Sequence, residues 1–91
     1  MISKTYSALA DSTRLTILEL LKEQELSAGQ LGMNFEISAP SLSHHLSVLK
    51  QAGLVSSRRK GQEIIYSINL SVFEEVAESL IKFFKVNKKK K

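Results

Sequence analysis

The stretch from Ser27 to Val55 reads SAGQLGMNFEISAPSLSHHLSVLKQAGLV, and it decides the fold. Ser27 and Gln30 have the spacing of a capping box, in which a hydroxyl and an amide satisfy the end groups of a new helix. Gly32 and Asn34 weaken that helix after about two turns. The first half of the stretch therefore predicts a short helix.

The second half of the stretch predicts a longer helix over residues 38–52. Ser38 is suited to cap it, and Pro40 falls in the first turn, where a missing N–H does no harm. Gly53 is suited to end it. Two helices joined by a tight turn are typical of a helix-turn-helix unit.

Two further helices are predicted before this stretch. Residues 2–10 place apolar side chains at helical spacing, and residues 12–24 carry a stripe of leucine and isoleucine with the same period. Asp11 or Ser12 can cap the second of these helices.

After Gly53 the apolar pattern changes from a helical to an alternating period. Residues 54–58 and 64–69 are predicted to be strands, and residues 59–62 (RKGQ) between them predict a turn with a basic tip. Residues 71–74 (SVFE) have a second capping-box pattern, which predicts a final helix with an apolar face. The expected fold is mainly α with a β-hairpin, a winged helix-turn-helix of the order α-α-α-α-β-β-α.

The positive charge is concentrated in two places. The formal net charge is +4, and the four lysines of residues 88–91 supply all of it, since the other 87 residues carry nine basic and nine acidic side chains. We therefore predict one domain over residues 1–87 and a basic tail over 88–91, which is either a solvated end or a source of non-specific affinity for nucleic acid. Inside the domain, residues 37–62 contain four cations and no acid. Such a stretch in a balanced body indicates a surface that meets an anion.

Composition excludes several classes of protein. The absence of cysteine excludes disulfides, thiolate metal sites and cysteine nucleophiles. No apolar run approaches the roughly 18 residues of a membrane span, and the first six residues lack the apolar core of a signal peptide. We therefore expect a cytoplasmic protein with no membrane insertion. At 91 residues a lone monomer would be only marginally stable, so oligomerisation is expected.

The helix over residues 38–52 separates apolar from small polar side chains. At 100° per residue, Leu42, Leu46 and Leu49 lie within about 60° of one another and must face the core. His44 and Ser47 lie on the opposite face, which has no acid and no long apolar group. That face is either merely solvated or suited to press into the major groove of DNA. Because exposed helix faces usually favour Glu, Lys and Arg, we favour DNA.

The residues predicted to bind DNA lie on this helix and on the hairpin. Short polar side chains would reach base edges, and N–H groups at the helix start would hold a phosphate. The cations of the hairpin would contact phosphate or the minor groove, and Lys50 would contact the DNA backbone. The predicted set is Ser38, Pro40, Ser41, Ser43, His44, Ser47, Lys50, Arg58, Arg59 and Lys60. His45 points away from this face, so we expect it to pack or to form an inter-helix hydrogen bond.

Three regions of the sequence resemble the ArsR/SmtB repressors. Residues 8–15 (ALADSTRL) and 26–31 (LSAGQL) resemble their opening helices, and residues 37–46 (ISAPSLSHHL) with 49–55 (LKQAGLV) resemble their recognition helix and its exit. Much of residues 58–68 is similar to their wing. The resemblance implies a homodimeric repressor of transcription on a pseudo-palindromic operator, with a dimer interface formed by the first and last helices.

The apolar side chains of those two helices agree with that implication, because they are more than one small domain readily hides. Packing within the monomer is the alternative for them. The implied interface residues are Ile2, Tyr6, Leu9, Phe73, Val76, Ala77, Leu80 and Phe84.

The resemblance also separates this chain from the metal sensors of the family. Arsenic and cadmium sensors carry cysteines around the short third helix, and residues 26–33 have none. Zinc and nickel sensors carry Asp and His on the last helix, whereas residues 71–87 offer glutamates only. We therefore expect no metal and no cofactor. The chain resembles the metal-site-free branch of SdpR-like autorepressors, which implies relief of repression by another signal, such as a sequestering protein partner or the repressor's own level.

Other functions are less well supported by the residues. The acylating pattern Ser-x-x-Lys occurs three times without its companion motifs, so an enzyme is not expected. A winged helix used only for protein–protein contact, and an ArsR-type sensor of an unidentified small ligand, stay open as alternatives.

Overall fold

The elements follow one another as a helix-turn-helix, a hairpin and a long last helix. The structure is a computed structural model that describes the backbone of residues 2–89 and the side chains of residues 4–85. Within that part of the chain the elements are α1 (Ile2–Ala8), α2 (Ser12–Glu23), β1 (Leu26–Ser27), α3 (Ala28–Gly32), α4 (Ala39–Gln51), β2 (Val55–Lys60), β3 (Glu63–Ile68) and α5 (Leu70–Lys89). The predicted mainly α fold with a β-hairpin is confirmed.

Side-chain caps begin α2 and α3 where the sequence places them. Asp11, and not Ser12, caps α2, since the N–H of Arg14 donates to Asp11 Oδ2 at 3.1 Å. At α3 the capping box is complete: Gln30 N–H donates to Ser27 Oγ at 3.1 Å, and Ser27 N–H donates to Gln30 Oε1 at 2.9 Å. Each cap satisfies an N–H that helix geometry leaves unpaired.

The core lies between the helices and β2, and α4 contributes three leucines to it. Leu42, Leu46 and Leu49 are buried, as their common face predicts. The buried side chains that form one cluster with them are Ala8, Ile17, Leu18, Leu21, Leu31, Leu54 and Val55. Burying one leucine stabilises a fold by about 1.5–3 kcal/mol. These leucines therefore fix α4 with its opposite face toward solvent.

The sheet contains a strand that we do not predict from the sequence. β1 pairs antiparallel with β3, so the strand order is β1-β3-β2. Leu26 lies opposite Tyr66, and Ser27 lies opposite Ile65. Two residues are too few to show the alternation that signals a strand, and the pairing joins residues far apart in the chain.

The hairpin is longer than predicted and its turn is shorter. β2 continues to Lys60, which lies opposite Glu63, so the turn is not residues 59–62 but Gly61-Gln62. Gly61 has φ +64°, in the left-handed region that favours glycine. The basic side chains therefore lie along a strand and not in a loop.

The start of α5 corrects a second prediction. The helix begins at Leu70, so the capping box predicted at Ser71 is wrong. The N–H of Phe73 donates to the carbonyl of Asn69 at 3.1 Å, which places Ser71 inside the first turn. The Asn69 side chain instead donates to the carbonyl of Gly53 at 2.8 Å and so joins the ends of β3 and α4.

The ends of the outer helices also differ from the predicted ones. α1 ends at Ala8, two residues early, whereas α5 continues to Lys89 and so enters the predicted tail. Residues 90 and 91 of that tail lie outside the described residues. Over the part of the chain that is described, no helix combines the length and apolar character needed to cross a membrane.

Candidate nucleic-acid interface

The outer face of α4 is small, polar and open to solvent. Pro40, Ser43, His44, Ser47 and Gln51 are all exposed, on the side of the helix opposite the buried leucines. The helix contains no acidic residue, and its last turn adds one cation. The predicted orientation of α4 is confirmed. A face of this kind lets a helix approach a major groove closely, because no long side chain keeps it away.

The first turn of α4 is already partly occupied by its own cap. Ser38 is exposed, and its Oγ accepts the N–H of Ser41 at 3.2 Å. We predict that N–H groups near Ser38 and Ser41 hold a phosphate. The N–H of Ser41 already has an acceptor, so a phosphate would have to replace Ser38 Oγ to bind it. Ser41 itself is half-buried, whereas Lys50 at the other end of α4 is exposed.

Of the two roles expected for His45, packing or an inter-helix hydrogen bond, the structure shows the hydrogen bond. Its Nδ1 lies 3.0 Å from Nη1 of Arg14 in α2 and 3.8 Å from Oδ2 of Asp11. Because a guanidinium only donates, Nδ1 is the acceptor in this contact, which assigns the ring proton of a neutral His45 to Nε2. His44, one residue before, is exposed, and the two ring centroids are 5.9 Å apart. His45 therefore contacts α2, whereas His44 faces solvent.

The wing presents its cations on two faces. Side chains alternate along a strand, so Arg58 and Lys60 share one face of β2 and Arg59 lies on the other. All three are exposed. In the hairpin register Arg59 lies opposite Ile64, whereas Lys60 lies opposite Glu63. The cations of the predicted basic tip are therefore divided between the two faces of β2, and Glu63 lies opposite the last of them, Lys60.

Arg58 is held by an acid that sequence reasoning missed. Its Nη2 lies 2.9 Å from Oε1 of Glu25, just before β1. The hydrogen bond from the guanidinium, followed by its charge, holds the pKa of Glu25 below its usual range, and the same hydrogen bond and ion pair raise the pKa of Arg58. Only the pairing of β1 with β3 brings Glu25 to the wing, so the sequence carries no local signal for it. A phosphate that binds Arg58 must compete with Glu25.

Apolar side chains of α2, of α5 and of Leu9, which directly follows α1, line a surface groove of about 300 Å³. The lining residues are Leu9, Leu15, Phe73, Val76, Ala77 and Leu80. All of them except Leu15 belong to the predicted interface set, so the fold brings five of those residues together. Leu9 and Phe73 also pack on the core, as the alternative of packing within the monomer expects. Leu15 is 44% exposed and was missed because its spacing assigns it to the core stripe of α2.

Beyond this groove α5 exposes further apolar side chains. Phe84 is 61% exposed, and Phe83, which the prediction omits, is 59% exposed, with the two rings edge to face at 5.5 Å. Tyr6 of α1 is also exposed, and the side chain of Ile2 lies outside the described side chains. An apolar patch of this kind on a small protein is typical of an interaction site.

The described residues hold no group of three His, Cys, Asp or Glu side chains close enough to bind a metal ion. In α5, Glu74, Glu75 and Glu78 are exposed. Carboxylates without imidazole or thiolate partners are poor zinc ligands.

A short helix, a tight turn, a second helix with a small polar face and a basic hairpin define the winged helix-turn-helix class of DNA-binding proteins. The sequence supplies the family. Residues 11–57 match the family described as bacterial regulatory protein, arsR family. The chain therefore belongs to the ArsR family of transcriptional regulators, and it is a regulator and not an enzyme.

Individual relatives agree with this assignment. The chain is 43% identical over 82 residues to the transcriptional repressor SdpR of Bacillus subtilis, covering 90% of this chain and 91% of the relative. It is 37% identical over 79 residues to the arsenical resistance operon repressor of Staphylococcus aureus, covering 87% of this chain and 76% of that one.

A solved structure has the same architecture. It is the homodimeric winged helix-turn-helix DNA-binding domain of a possible ArsR-family regulator from Mycobacterium bovis. The TM-score is 0.76 at 27% identity, over 96% of this chain and 82% of that one.

Proposed function

We propose that this ArsR-family regulator is a homodimeric, sequence-specific repressor that reads its operator with α4 and responds to a signal other than a metal. The observation that carries the proposal is the exposed, acid-free outer face of α4, held outward by three buried leucines. On that face His44 and two serines are short enough to reach base edges in a major groove.

The assigned DNA contacts differ in kind. Four side chains from the first nine residues of α4 are assigned to bases or to groups beside them, because a recognition helix contacts bases with its N-terminal part. They are Ser41, Ser43, His44 and Ser47. The cations of the wing are assigned to phosphates or the minor groove, and Lys50 is assigned to the DNA backbone. Of the wing cations Arg59 is the best placed, since Arg58 is paired with Glu25 and Lys60 faces Glu63.

The dimer is proposed to form through α1 and α5. The apolar groove that Leu9, Leu15 and α5 line and the exposed aromatic pair of α5, Phe83 and Phe84, support this, because a second copy would cover both. The similar domain from Mycobacterium bovis is homodimeric. In such a dimer successive half-sites lie about 10–10.5 base pairs apart, or a multiple of that spacing.

The signal that relieves repression is proposed to be a sequestering protein partner or the repressor's own concentration. We propose that the protein acts in the cytoplasm and represses its own gene. The similarity to SdpR, itself a transcriptional repressor, supports the repressor function. The absence of cysteine and of histidine or aspartate in α5 supports a response without metal. We further propose residues 1–87 as the DNA-binding and dimerisation domain and the lysines of residues 88–91 as a source of non-specific affinity.

The first test is binding of the purified protein to the DNA upstream of its own gene and to scrambled duplex, at two salt concentrations. A preference of about a hundredfold or more that survives at the higher salt is expected. Equal and salt-sensitive binding to both duplexes would contradict sequence-specific autoregulation. No binding to either would favour a winged helix that contacts only proteins.

Two variants test the assigned contacts. His44→Ala should weaken operator binding by about 1–3 kcal/mol and relax specificity, because a base contact is lost. Arg59→Ala should weaken all sequences alike and reduce the slope of log K against log salt by about one per subunit. If His44→Ala leaves affinity and specificity unchanged, the outer face of α4 is not the reading face.

The oligomeric state is tested by sedimentation of a charged variant in the groove. Leu80→Glu should convert a dimer to monomer, since a carboxylate would be buried without a partner. Lys82→Glu, an exposed change two residues away, is the control and should stay dimeric. A wild-type monomer at micromolar concentration would contradict the proposed dimer.

A further inference from the structure

One arginine of α2 contacts both α1 and α4, the helix that we propose reads the operator. Arg14 of α2 donates from Nε to the carbonyl of Ala8 at 2.8 Å and from Nη2 to the carbonyl of Ser7 at 3.2 Å. Both carbonyls lie in the last turn of α1. The third nitrogen, Nη1, lies 3.0 Å from Nδ1 of His45 in α4. All three guanidinium nitrogens are therefore engaged, on two different helices.

This set of contacts fixes directions as well as distances. The guanidinium is planar, and its donors have a rigid fork geometry, so a group bonded to one side constrains the group bonded to the other. The two carbonyls lie at the C-terminal end of α1, where the helix dipole favours a cation, and the Ser7 carbonyl also accepts the N–H of Ala10 at 3.1 Å. His45 is only partly exposed and offers the ring nitrogen that can accept.

Asp11 lies beside both the backbone of Arg14 and the ring of His45. Its carboxylate accepts the backbone N–H of Arg14 and lies 3.8 Å from Nδ1 of His45. The hydrogen bond from the backbone N–H of Arg14 lowers the pKa of Asp11 below its usual range, so the carboxyl is ionised at neutral pH. We name the guanidinium of Arg14, with its contacts to the carbonyls of Ser7 and Ala8 and to His45 Nδ1, the Arg14 bridge.

We propose that Arg14 is a positioning residue that sets the orientation of α4 relative to α1. This inference rests on the proposed function, in which α1 belongs to the dimer interface and α4 enters the groove. Two recognition helices read two half-sites only when their separation and angle match the DNA. The Arg14 bridge supplies that match, because it ties the helix at the dimer interface to the residue that directly follows His44.

The bridge affects specific and non-specific binding differently. Non-specific affinity comes from charge and tolerates a helix that sits a little differently in the groove. Specific affinity needs each side chain to meet its base. Losing the bridge should therefore lower operator affinity and leave scrambled-DNA affinity unchanged.

The test is Arg14→Lys, which keeps the charge and removes the fork. We expect operator affinity to fall about tenfold or more, the loss that follows removal of one charge-assisted hydrogen bond. Scrambled-DNA affinity and the salt slope should remain those of wild type. Lys22→Arg, a similar exchange on an exposed position of the same helix, is the matched control and should change neither.

A double-mutant cycle with His45 separates positioning from general loss of stability. His45→Ala should cost as much operator affinity as Arg14→Lys, and the double variant should cost no more than either, because each change alone breaks the connection between α1 and α4. His45→Asn should restore most of the affinity, since its Oδ1 occupies the place of Nδ1 and accepts from Arg14. Additive losses, or equal loss of operator and scrambled binding, would overturn the inference.

Amide hydrogen exchange of the DNA-free protein gives a readout that does not depend on the operator. Arg14→Lys should speed exchange in the last turn of α1 and in α4 around His45, and Lys22→Arg should not. Unchanged exchange would show that the bridge does not hold α4. If exchange responds but wild type does not prefer its operator, the proposed function fails and not the bridge. If wild type prefers its operator and Arg14→Lys does so equally, the inference fails alone.

Discussion

Glu25 should limit the affinity of this protein for DNA, and Glu25→Gln should therefore bind more tightly than wild type. In the structure its carboxylate lies 2.9 Å from Nη2 of Arg58 on the wing. The hydrogen bond from Arg58 keeps the pKa of Glu25 low, so the pair is charged on both sides at neutral pH. A phosphate that binds Arg58 competes with this carboxylate for the positive charge of the guanidinium. A glutamine retains the shape and a carbonyl acceptor but gives up the charge.

The size of the effect follows from counterion release. Each cation that neutralises a phosphate adds about 0.9 to the steepness of log K against log salt. At 0.1 M salt that term corresponds to about an eightfold gain in affinity for each new contact, relative to 1 M salt. With one freed Arg58 in each subunit of a dimer, the upper limit is about 60-fold, and the slope steepens by about 1.8.

The assay is a salt titration of binding to operator and to scrambled duplex, followed by fluorescence anisotropy. Glu23→Gln is the control, because it removes the same charge from an exposed position two residues away. It should raise affinity only slightly, through net charge. Arg58→Ala should abolish the gain of Glu25→Gln when the two are combined. If Glu25→Gln and Glu23→Gln give the same slope, Arg58 does not reach a phosphate and our reasoning about the wing is wrong.

Three further predictions concern the fold. Leu46→Ala should lower the free energy of unfolding by about 2–5 kcal/mol in a denaturant titration, since Leu46 is 2% exposed and its loss leaves a cavity under α4; a smaller loss would mean that the core collapses to fill the cavity. The bond from the N–H of Arg14 lowers the pKa of Asp11 from its ordinary 3.8, so the ionised cap stabilises the fold above that pH and its contribution is lost as pH falls through the folded-state pKa. Asp11→Asn should therefore flatten the acid side of a plot of Tm against pH, and an unchanged plot would contradict this. Gly61→Ala should destabilise by about 1 kcal/mol, because φ is +64° there, whereas Gly29→Ala in α3 should stabilise by about 0.5–1 kcal/mol, its new Cβ meeting Ser27 Oγ at an ordinary 3.8 Å; thermal melts check both signs.

Much of the candidate site could be predicted from local pattern. The caps at Ser27 and Ser38 depend on side chains three residues from the N–H groups they satisfy, so their spacing is visible in the sequence. The outward face of α4 follows from the helical repeat alone, because the buried leucines leave only one side for His44. Even the inter-helix bond of His45 could be anticipated from its angle to the core stripe.

Predictions at element boundaries were less accurate, because competing contacts decide them. Ser71 has the pattern of a cap, but α5 begins earlier, because the carbonyl of Asn69 accepts the N–H of Phe73. The side chain of Asn69 donates to the carbonyl of Gly53. The turn of the hairpin is set by the register of β2 against β3, which places Lys60 in a strand. No local pattern records which of two possible partners a backbone group will take.

The sequence by itself determined the order of the helices, the hairpin, the acid-free outer face of α4, the absence of cysteine and the absence of histidine from α5, since each depends on residue types at short spacing. Only the tertiary structure decided that Glu25 lies against Arg58 and that Arg14 joins α1 to His45. The contacts of Glu25 with Arg58 and of Arg14 with His45 connect residues 33 and 31 positions apart in the chain. Their partners are chosen by how the helices pack and how β1 pairs with β3, and periodicity carries no information about that choice.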